Sequence, residues 1–372
     1  MRIAQISPLW ERVPPPGYGG IELVVSLLTD ELVRRGHEVT LFATGDSETL
    51  AKLDPGCPKA LRSLNVNEQE YNVYAQMQLS KVFGRAHEFD IIHSHVDYSA
   101  LAFAKLVKTP VVHTLHKTFL QMLETFLKLD NAERIEQIFV QHQHQNYVSV
   151  SKSLQRHDLG LNYVSAVYNA IAADRFEFRA TPEDPPYLAF LGRMSPEKGP
   201  HLAIQIAKRS GWKLKMAGKI DSRDREFFER EVAAYFDGEQ IQFLGEVDDN
   251  QKKELIGGAT ATLFPITWSE PFGLVMPESM ACGTPVIAMA LGAAPEVIDH
   301  GRTGFLCDNV DECVEALANI QSLDRNACRD HVDANFSVKH MTDGYETIYR
   351  QVLGESFGRN GHLKKAPLSL AR

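Results

Sequence analysis

The sequence predicts an α/β protein of two domains, each built on a doubly wound parallel sheet. Three observations carry this. Short apolar runs bounded by turn residues alternate with helical periodicity along most of the chain. The length, 372 residues, exceeds one ordinary core and suits two. Residues 172–186, AADRFEFRATPEDPP, lose periodicity and gain proline and charge, after which the alternation restarts. The expected organisation is a first domain over 1–172, a second over 173–337, a helix over 338–353 and a basic tail over 354–372.

Residues 2–9, RIAQISPL, read as a buried strand. A turn rich in proline and glycine follows, Pro14-Pro15-Pro16-Gly17-Tyr18-Gly19-Gly20. Ile21, Val24, Val25, Leu28 and Leu32 then share one helical face up to Gly36, and residues 37–44 form a second strand. This is a βαβ unit. Gly19 and Gly20 lack a Cβ, so a phosphate can approach their N–H groups. A plain tight loop is the competing reading, because the G-x-G-x-x-G dinucleotide fingerprint is absent.

The alternation continues with a helix over 71–89, a strand over 90–95, a helix near 97–107 and a strand over 110–115, then short strands at 146–150 and 164–168. Ligands of doubly wound sheets bind at carboxyl ends of strands, which singles out His95 and His116. A metal held by these and the neighbouring His93, His113, His142 and His144 is not expected, since no carboxylate pattern supports it. A long helix over roughly 117–139 carries Phe119, Met122, Leu123, Phe126 and Leu127 beside Lys117 and Lys128. Packing on the domain is the favoured reading, with peripheral contact at a membrane surface as the alternative.

The second half opens on a strand at 187–191 and continues with strands at 212–217, 241–245, 260–265, 285–289 and 303–307 and helices between them. Helices at about 310–321 and 325–335 follow, and the residues from Ser356 to Arg372 read as a flexible basic tail. The loop Gly192-Arg193-Met194-Ser195-Pro196-Glu197-Lys198-Gly199 sits at the carboxyl end of the first of these strands. Arg193 can grip two phosphate oxygens at once and Lys198 adds a mobile charge. Two solvated surface cations are the bland reading.

Residues 265–285, PITWSEPFGLVMPESMACGTP, hold the densest chemistry. Glu270 lies on a turn made by Pro271 and Gly273, and Glu278 lies inside the short helix that follows and stops at Gly283. An anion at that helix start, flanked by two acceptors for hydroxyl groups, matches the polarity of a sugar nucleotide.

Composition narrows the alternatives. Hydrophobic residues make up 44% and charged residues 23%, as in a globular domain. The net charge of −9 argues against nucleic acid as partner. Five cysteines without a Cys-x-x-Cys pair indicate no disulfide framework and a reducing compartment, and no run reaches membrane-span length. A cytoplasmic protein, peripheral at the inner face of the membrane at most, is expected.

With these residues in view, the sequence resembles family 4 of the retaining glycosyltransferases. Glu270-Pro271-Phe272-Gly273-Leu274-Val275-Met276-Pro277-Glu278 matches that family's E-x7-E motif. Gly192-Arg193 with Glu197-Lys198-Gly199, and Gly283-Thr284-Pro285-Val286-Ile287, match flanking signatures. Tyr18-Gly19-Gly20, His116, Ser149-Val150-Ser151-Lys152 and Val167-Tyr168-Asn169 match weaker ones. The resemblance implies the GT-B fold: two Rossmann-like domains facing across a cleft, the first binding acceptor and the second donor, with the last helix crossing back to the first.

The resemblance also implies roles. Arg193 and Lys198 hold the donor diphosphate, Glu278 the ribose hydroxyls, and Glu270 the sugar hydroxyls beside the backbone N–H groups of Phe272, Gly273 and Leu274. Gly19 and Gly20 let the first domain close on the phosphates, His116 lines the sugar and acceptor side, and Leu244 to Val247 meet the base. Glu270, His116, Arg193 and Lys198 are the residues expected to serve catalysis. No cofactor or metal is implied. The donor is a UDP-sugar or GDP-sugar, with a UDP-hexose favoured, and the acceptor a saccharide or lipid-linked saccharide. Two departures stand out: Asn169-Ala170-Ile171-Ala172 replaces the family's Asn-Gly-Ile-Asp, and Gly292-Ala293-Ala294 its Gly-Gly before Pro-Glu. A sugar-nucleotide epimerase of similar fold and a two-domain sugar-binding protein remain as competitors; a dehydrogenase lacks its fingerprint.

Overall fold

The computed structural model describes residues 1–17, 19–122, 132–357 and 363–365. Its contacts divide the chain into two units. The first comprises residues 1–150, 154–168 and the chain from Val338 onward; the second comprises 151–153 and 169–337.

The first unit holds seven strands: β1 Arg2–Ile6, β2 Glu38–Thr44, β3 Lys52–Cys57, β4 Ile91–Ser94, β5 Val111–Leu115, β6 Asn146–Ser149 and β7 Tyr163–Ala166. They pair in the order β3-β2-β1-β4-β5-β6-β7, every pair parallel. Strands of such a sheet are covered on both faces, and β4 and β5 are buried at every position. The helix Gly20–Arg34 returns from β1 to β2 and buries Val24, Val25, Leu28 and Leu32. Strand β3 was not foreseen: Pro55 and Gly56 lie in it, which only an edge strand tolerates.

Some helices differ from expectation. The one expected over 71–89 runs Glu68–Gly84, because Asn67 and Glu70 form a capping box that starts it early. The segment near 97–107 is one 3₁₀ turn, Asp97–Ala100, and one helical turn, Leu101–Ala104. After His116 come Phe119–Met122 and Ala132–Val140. Phe119, Met122, Ile135 and Phe139 are buried, which favours packing on the domain; Leu123, Phe126, Leu127 and Lys128 lie outside the described residues.

The C-terminal helix Val338–Val352 belongs to the first unit. Asp343 and Glu346 on it meet the Arg35 guanidinium at 2.7 and 3.1 Å, and Glu346 meets His37 at 2.7 Å. Beyond it, Glu355–Phe357 pairs antiparallel with Leu363–Lys365. Residues 358–362 and 366–372 of the expected basic tail lie outside the described residues.

The second unit holds β8 Leu188–Leu191, β9 Leu214–Ala217, β10 Ile241–Phe243, β11 Ala261–Phe264, β12 Val286–Met289 and β13 Gly304–Cys307. The order is β10-β9-β8-β11-β12-β13, again all parallel. Each sheet therefore reverses its winding beside its first strand, between β1 and β4 and between β8 and β11, which is where doubly wound sheets bind ligands. The buried Arg325 braces this unit by donating to the carbonyls of Arg179, Ala259 and Gly257 and to Thr284 Oγ1 at 2.6–3.0 Å. All five cysteines are free and buried. Among the described residues, no helix is long and apolar enough to cross a membrane.

Candidate functional site

In the second unit the reversal of the sheet gathers two loops. The one after β8 carries Arg193 and Lys198; the one after β11 carries Glu270. They are stitched together by backbone: Thr267 N donates to Glu197 O at 3.0 Å and Thr267 Oγ1 to Pro196 O at 3.2 Å. Gly199, at φ +69°, allows this approach, since a Cβ there would lie 1.9 Å from Pro265 O. Lys198 Nζ then reaches Glu270 Oε2 at 2.5 Å and stands 5.1 Å from the centre of the Trp268 ring.

The Glu270 main chain is held from the loop after β12. Ala293 N donates to Glu270 O at 2.9 Å, and a Cβ on Gly292 would come within 2.3 Å of Glu270 N. The departure Gly292-Ala293 thus keeps the glycine that the approach requires. Ala293 sits at φ −81°, ψ −5°, open to any L residue.

Arg193 is not the open phosphate fork that its sequence position suggests. Its guanidinium meets Glu197 at 2.5 Å, Asp221 at 3.5 Å and Asp224 at 3.9 Å. The two aspartates follow β9, whose loop touches that of β8: a Cβ on Gly218 would lie 1.7 Å from Gly192 O. Burial, followed by Glu197 and Asp221 among the neighbouring charges, raises the Asp224 carboxyl above its ordinary range although the nearby arginines pull it down.

Glu278 lies inside the helix Val275–Ala281, as expected, and is buried. Its Oε1 is 2.7 Å from Lys252 Nζ, on the helix Asp249–Gly258. Burial works against the Lys252 charge, but Glu278 and then Asp249 outweigh it and raise its pKa. Lys252 was missed in the sequence, since one lysine on a capped surface helix carries no signal. The helix start itself offers an anion little: Pro277 has no N–H, and Met276 N and Glu278 N donate to Gly273 O and Leu274 O. Phe272 is buried against Phe336, Gly273 turns at φ +82°, and Leu274 caps the helix. Val247 packs half-buried on the cluster of Tyr187 and Leu255.

A further carboxylate escaped the sequence reading. Glu296 accepts the backbone N–H groups of Lys152 and Ser153, each at 2.7 Å, and Ser151 Oγ donates to Pro271 O at 2.7 Å. The segment 151–153 is thereby tied to the loop that carries Glu270.

The first unit holds the remaining candidates. Gly19 caps the helix Gly20–Arg34, close under Pro15, where a Cβ would lie 2.7 Å from the proline Cβ. The buried Glu22 occupies the first turn of the same helix. Burial pushes its carboxyl up to about 7, against the pull of its own backbone N–H. The turn that was expected to receive phosphate thus already contains an acid of the chain. His116 follows β5 and is 7% exposed. Its Nε2 lies 2.9 Å from His95 Nδ1, and its backbone N–H reaches Asp97 Oδ1 at 3.2 Å. Burial, then Lys117, drives its pKa down to about 3, so the ring is neutral. Among the described residues, no group of three or more His, Cys, Asp or Glu side chains is arranged to hold a metal ion.

The family model for glycosyl transferases group 1 matches residues 173–332, and that for glycosyltransferase family 4 matches residues 18–175. N-acetyl-alpha-D-glucosaminyl L-malate synthase of Bacillus anthracis is 28% identical over 388 residues, covering 94% of this chain and 97% of its own. Sucrose-phosphate synthase from Thermosynechococcus elongatus superposes with a TM-score of 0.77 at 19% identity over 94% of this chain and 98% of its own. Anabaena HepE in complex with UDP-glucose gives 0.67 at 18% identity over 94% and 99%. The two matched models span residues 18–332 between them, the paired parallel sheets are those of the GT-B fold, and the chain belongs to the family 4 glycosyltransferases.

Proposed function

We propose that the protein is a metal-independent retaining hexosyltransferase that moves a hexose from a UDP-sugar to a hydroxyl of a saccharide or lipid-linked saccharide. One observation carries the reading: the loops after β8 and β11 place Lys198 against Glu270 where the second sheet reverses. A sugar nucleotide needs cations for its diphosphate and acceptors for its hydroxyls within one short reach. Lys198 with Arg193, and Glu270 with Glu278, supply that set. HepE, of the same fold, is described in complex with UDP-glucose, which supports a UDP-hexose here. Five free, buried cysteines suit a reducing compartment.

Glycosyl transfer builds positive charge on the sugar and negative charge on the departing diphosphate. Lys198 and Arg193 stabilise the latter, Glu270 orients the sugar hydroxyls, and Glu278 holds the ribose. The carboxylates that pair these cations in the free protein neutralise them until the diphosphate arrives. Phe272, Gly273 and Leu274 offer backbone N–H groups to the sugar, and Val247 faces the base. In the first unit, neutral His116 takes a hydrogen bond from an acceptor hydroxyl. No side chain acts as nucleophile; the departing phosphate oxygen takes the acceptor proton.

The test is transfer from a panel of nucleotide sugars to mixed saccharide acceptors, with the anomeric configuration of the product read by NMR. Retained configuration, activity insensitive to EDTA, and loss of turnover in the Arg193→Ala, Lys198→Ala double variant are expected. Normal turnover in that variant, an inverted product, or conversion of the donor to an epimer without acceptor would each overturn the reading.

A further inference from the structure

His116 is the end of a continuous buried chain of hydrogen bonds in the first unit. Its Nε2 meets His95 Nδ1 at 2.9 Å, and His95 Nε2 meets Gln5 Oε1 at 3.0 Å. Gln5 Nε2 donates to Tyr349 Oη at 3.1 Å, and Tyr349 Oη lies 2.7 Å from His93 Nδ1. His93 Nε2 lies 2.7 Å from Thr114 Oγ1, which lies 3.1 Å from Tyr345 Oη. Six of these seven side chains are fully buried, and none but His116 retains measurable exposure. Tyr345 and Tyr349 come from the C-terminal helix, more than 200 residues away in sequence.

The chain has a direction. A neutral imidazole has one donor and one acceptor nitrogen, and burial keeps His93, His95 and His116 neutral. The Gln5 amide oxygen faces His95, so His95 Nε2 carries its proton and Nδ1 accepts. His116 must then donate from Nε2, leaving Nδ1 as its acceptor. On the other side the Gln5 amide donates to Tyr349, whose hydroxyl donates to His93 Nδ1, so His93 donates from Nε2 to Thr114. From Gln5 to His95 to His116, reversing one link forces the others to reverse, because an opposed pair would bury two donors or two acceptors face to face. The Tyr349 hydroxyl, which accepts from Gln5 and has one proton left for His93, holds the amide in that orientation.

We propose that this wire locks His116 in the single neutral tautomer with its proton on Nε2, making Gln5 and Tyr349 positioning residues for glycosyl transfer. It rests on the role given to His116 above. The C-terminal helix is thereby more than packing: its Tyr349 hydroxyl aligns a ring in another part of the chain so that Nδ1 is always ready to accept a substrate hydroxyl.

The experiment is two-bond 1H–15N NMR of the full chain labelled at histidine, with His116 assigned by the signals lost in His116→Gln. The expected wild-type pattern is one tautomer, protonated on Nε2. In Tyr349→Phe the Gln5 amide loses its acceptor and His93 its donor, so the His116 nitrogens should shift toward a tautomer average. The variant should also lose roughly five- to tenfold in kcat, the worth of about one hydrogen bond, with the donor KM little changed. Gln5→Leu, which removes the amide that orders His95, should move the His116 nitrogens in the same sense and stands in if Tyr349→Phe does not fold. A wild-type average, a proton on Nδ1, or His116 nitrogens unmoved in the folded variants would overturn the inference. Because the tautomer is read without substrate, a chain that transfers no sugar would sink the proposed function and leave this measurement intact.

Discussion

Lys198 Nζ and Glu270 Oε2 stand 2.5 Å apart, joining two loops separated by 72 residues in the chain. Both side chains are largely buried, so neither charge is screened by bulk water and each depends on the other until an anion enters. Lys198→Met removes the cation and leaves the carboxylate unneutralised. Turnover should fall by about a hundredfold or more. Wild-type turnover at saturating donor would refute the pairing as part of the machinery.

Lys252 and Glu278, 2.7 Å apart, form a parallel pair. In Lys252→Met an uncompensated carboxylate would face the nucleotide. The dissociation constant for a nucleoside diphosphate should rise by about tenfold, or 1.4 kcal/mol, while that of the uncharged nucleoside changes much less. Calorimetric titration of both ligands decides it; equal weakening would mean that Lys252 serves the fold alone.

Arg325 serves stability. Its guanidinium supplies donors to three backbone carbonyls and one hydroxyl, an arrangement that a lysine cannot copy. Arg325→Lys should destabilise the second unit by about 3 kcal/mol, because buried carbonyls lose their partners. Urea denaturation followed by circular dichroism would show it, and an unchanged midpoint would contradict it.

Acid should unfold the first unit. Burial depresses the pKa values of His93, His95, His113 and His116, the last two to about 4 and about 3. Between those values and the ordinary 6.5 the unfolded chain binds more protons, so stability rises with pH and is lost as pH falls through this window. Four histidines give a slope of about 5 kcal/mol per pH unit near pH 5.5. Glu22, raised to about 7, acts in the opposite sense, since its protonated form is favoured by folding and its contribution fades as pH rises. The net loss below about pH 6 should still be steep, and a flat denaturation midpoint from pH 7 to pH 5 would exclude it.

Much of the fold was legible because parallel strands announce themselves. Their double burial demands short apolar runs, and twelve of the thirteen strands in the two sheets were placed from such runs. Strand β3 was not, because Pro55 and Gly56 erase the signal and only its edge position permits them. Helix ends shifted where side chains capped the backbone, as at Asn67. The loops after β8 and β11 were visible as strand ends carrying charge, but not the contacts that stitch them.

Local sequence pattern dictates the two doubly wound sheets, the residues in the loops at their carboxyl ends, Arg193, Lys198, Glu270 and His116, and Glu278 on the helix Val275–Ala281. These depend on local periodicity and on which residues follow a strand, and both are written in order along the chain. The tertiary structure alone decided partnership. It set Lys198 on Glu270, surrounded Arg193 with acids, brought Lys252 to Glu278 and carried Tyr349 back to Gln5 and His93. Such pairings depend on strand order and on distances of a few ångströms between segments up to 344 residues apart, and nothing in the local pattern of either segment encodes them.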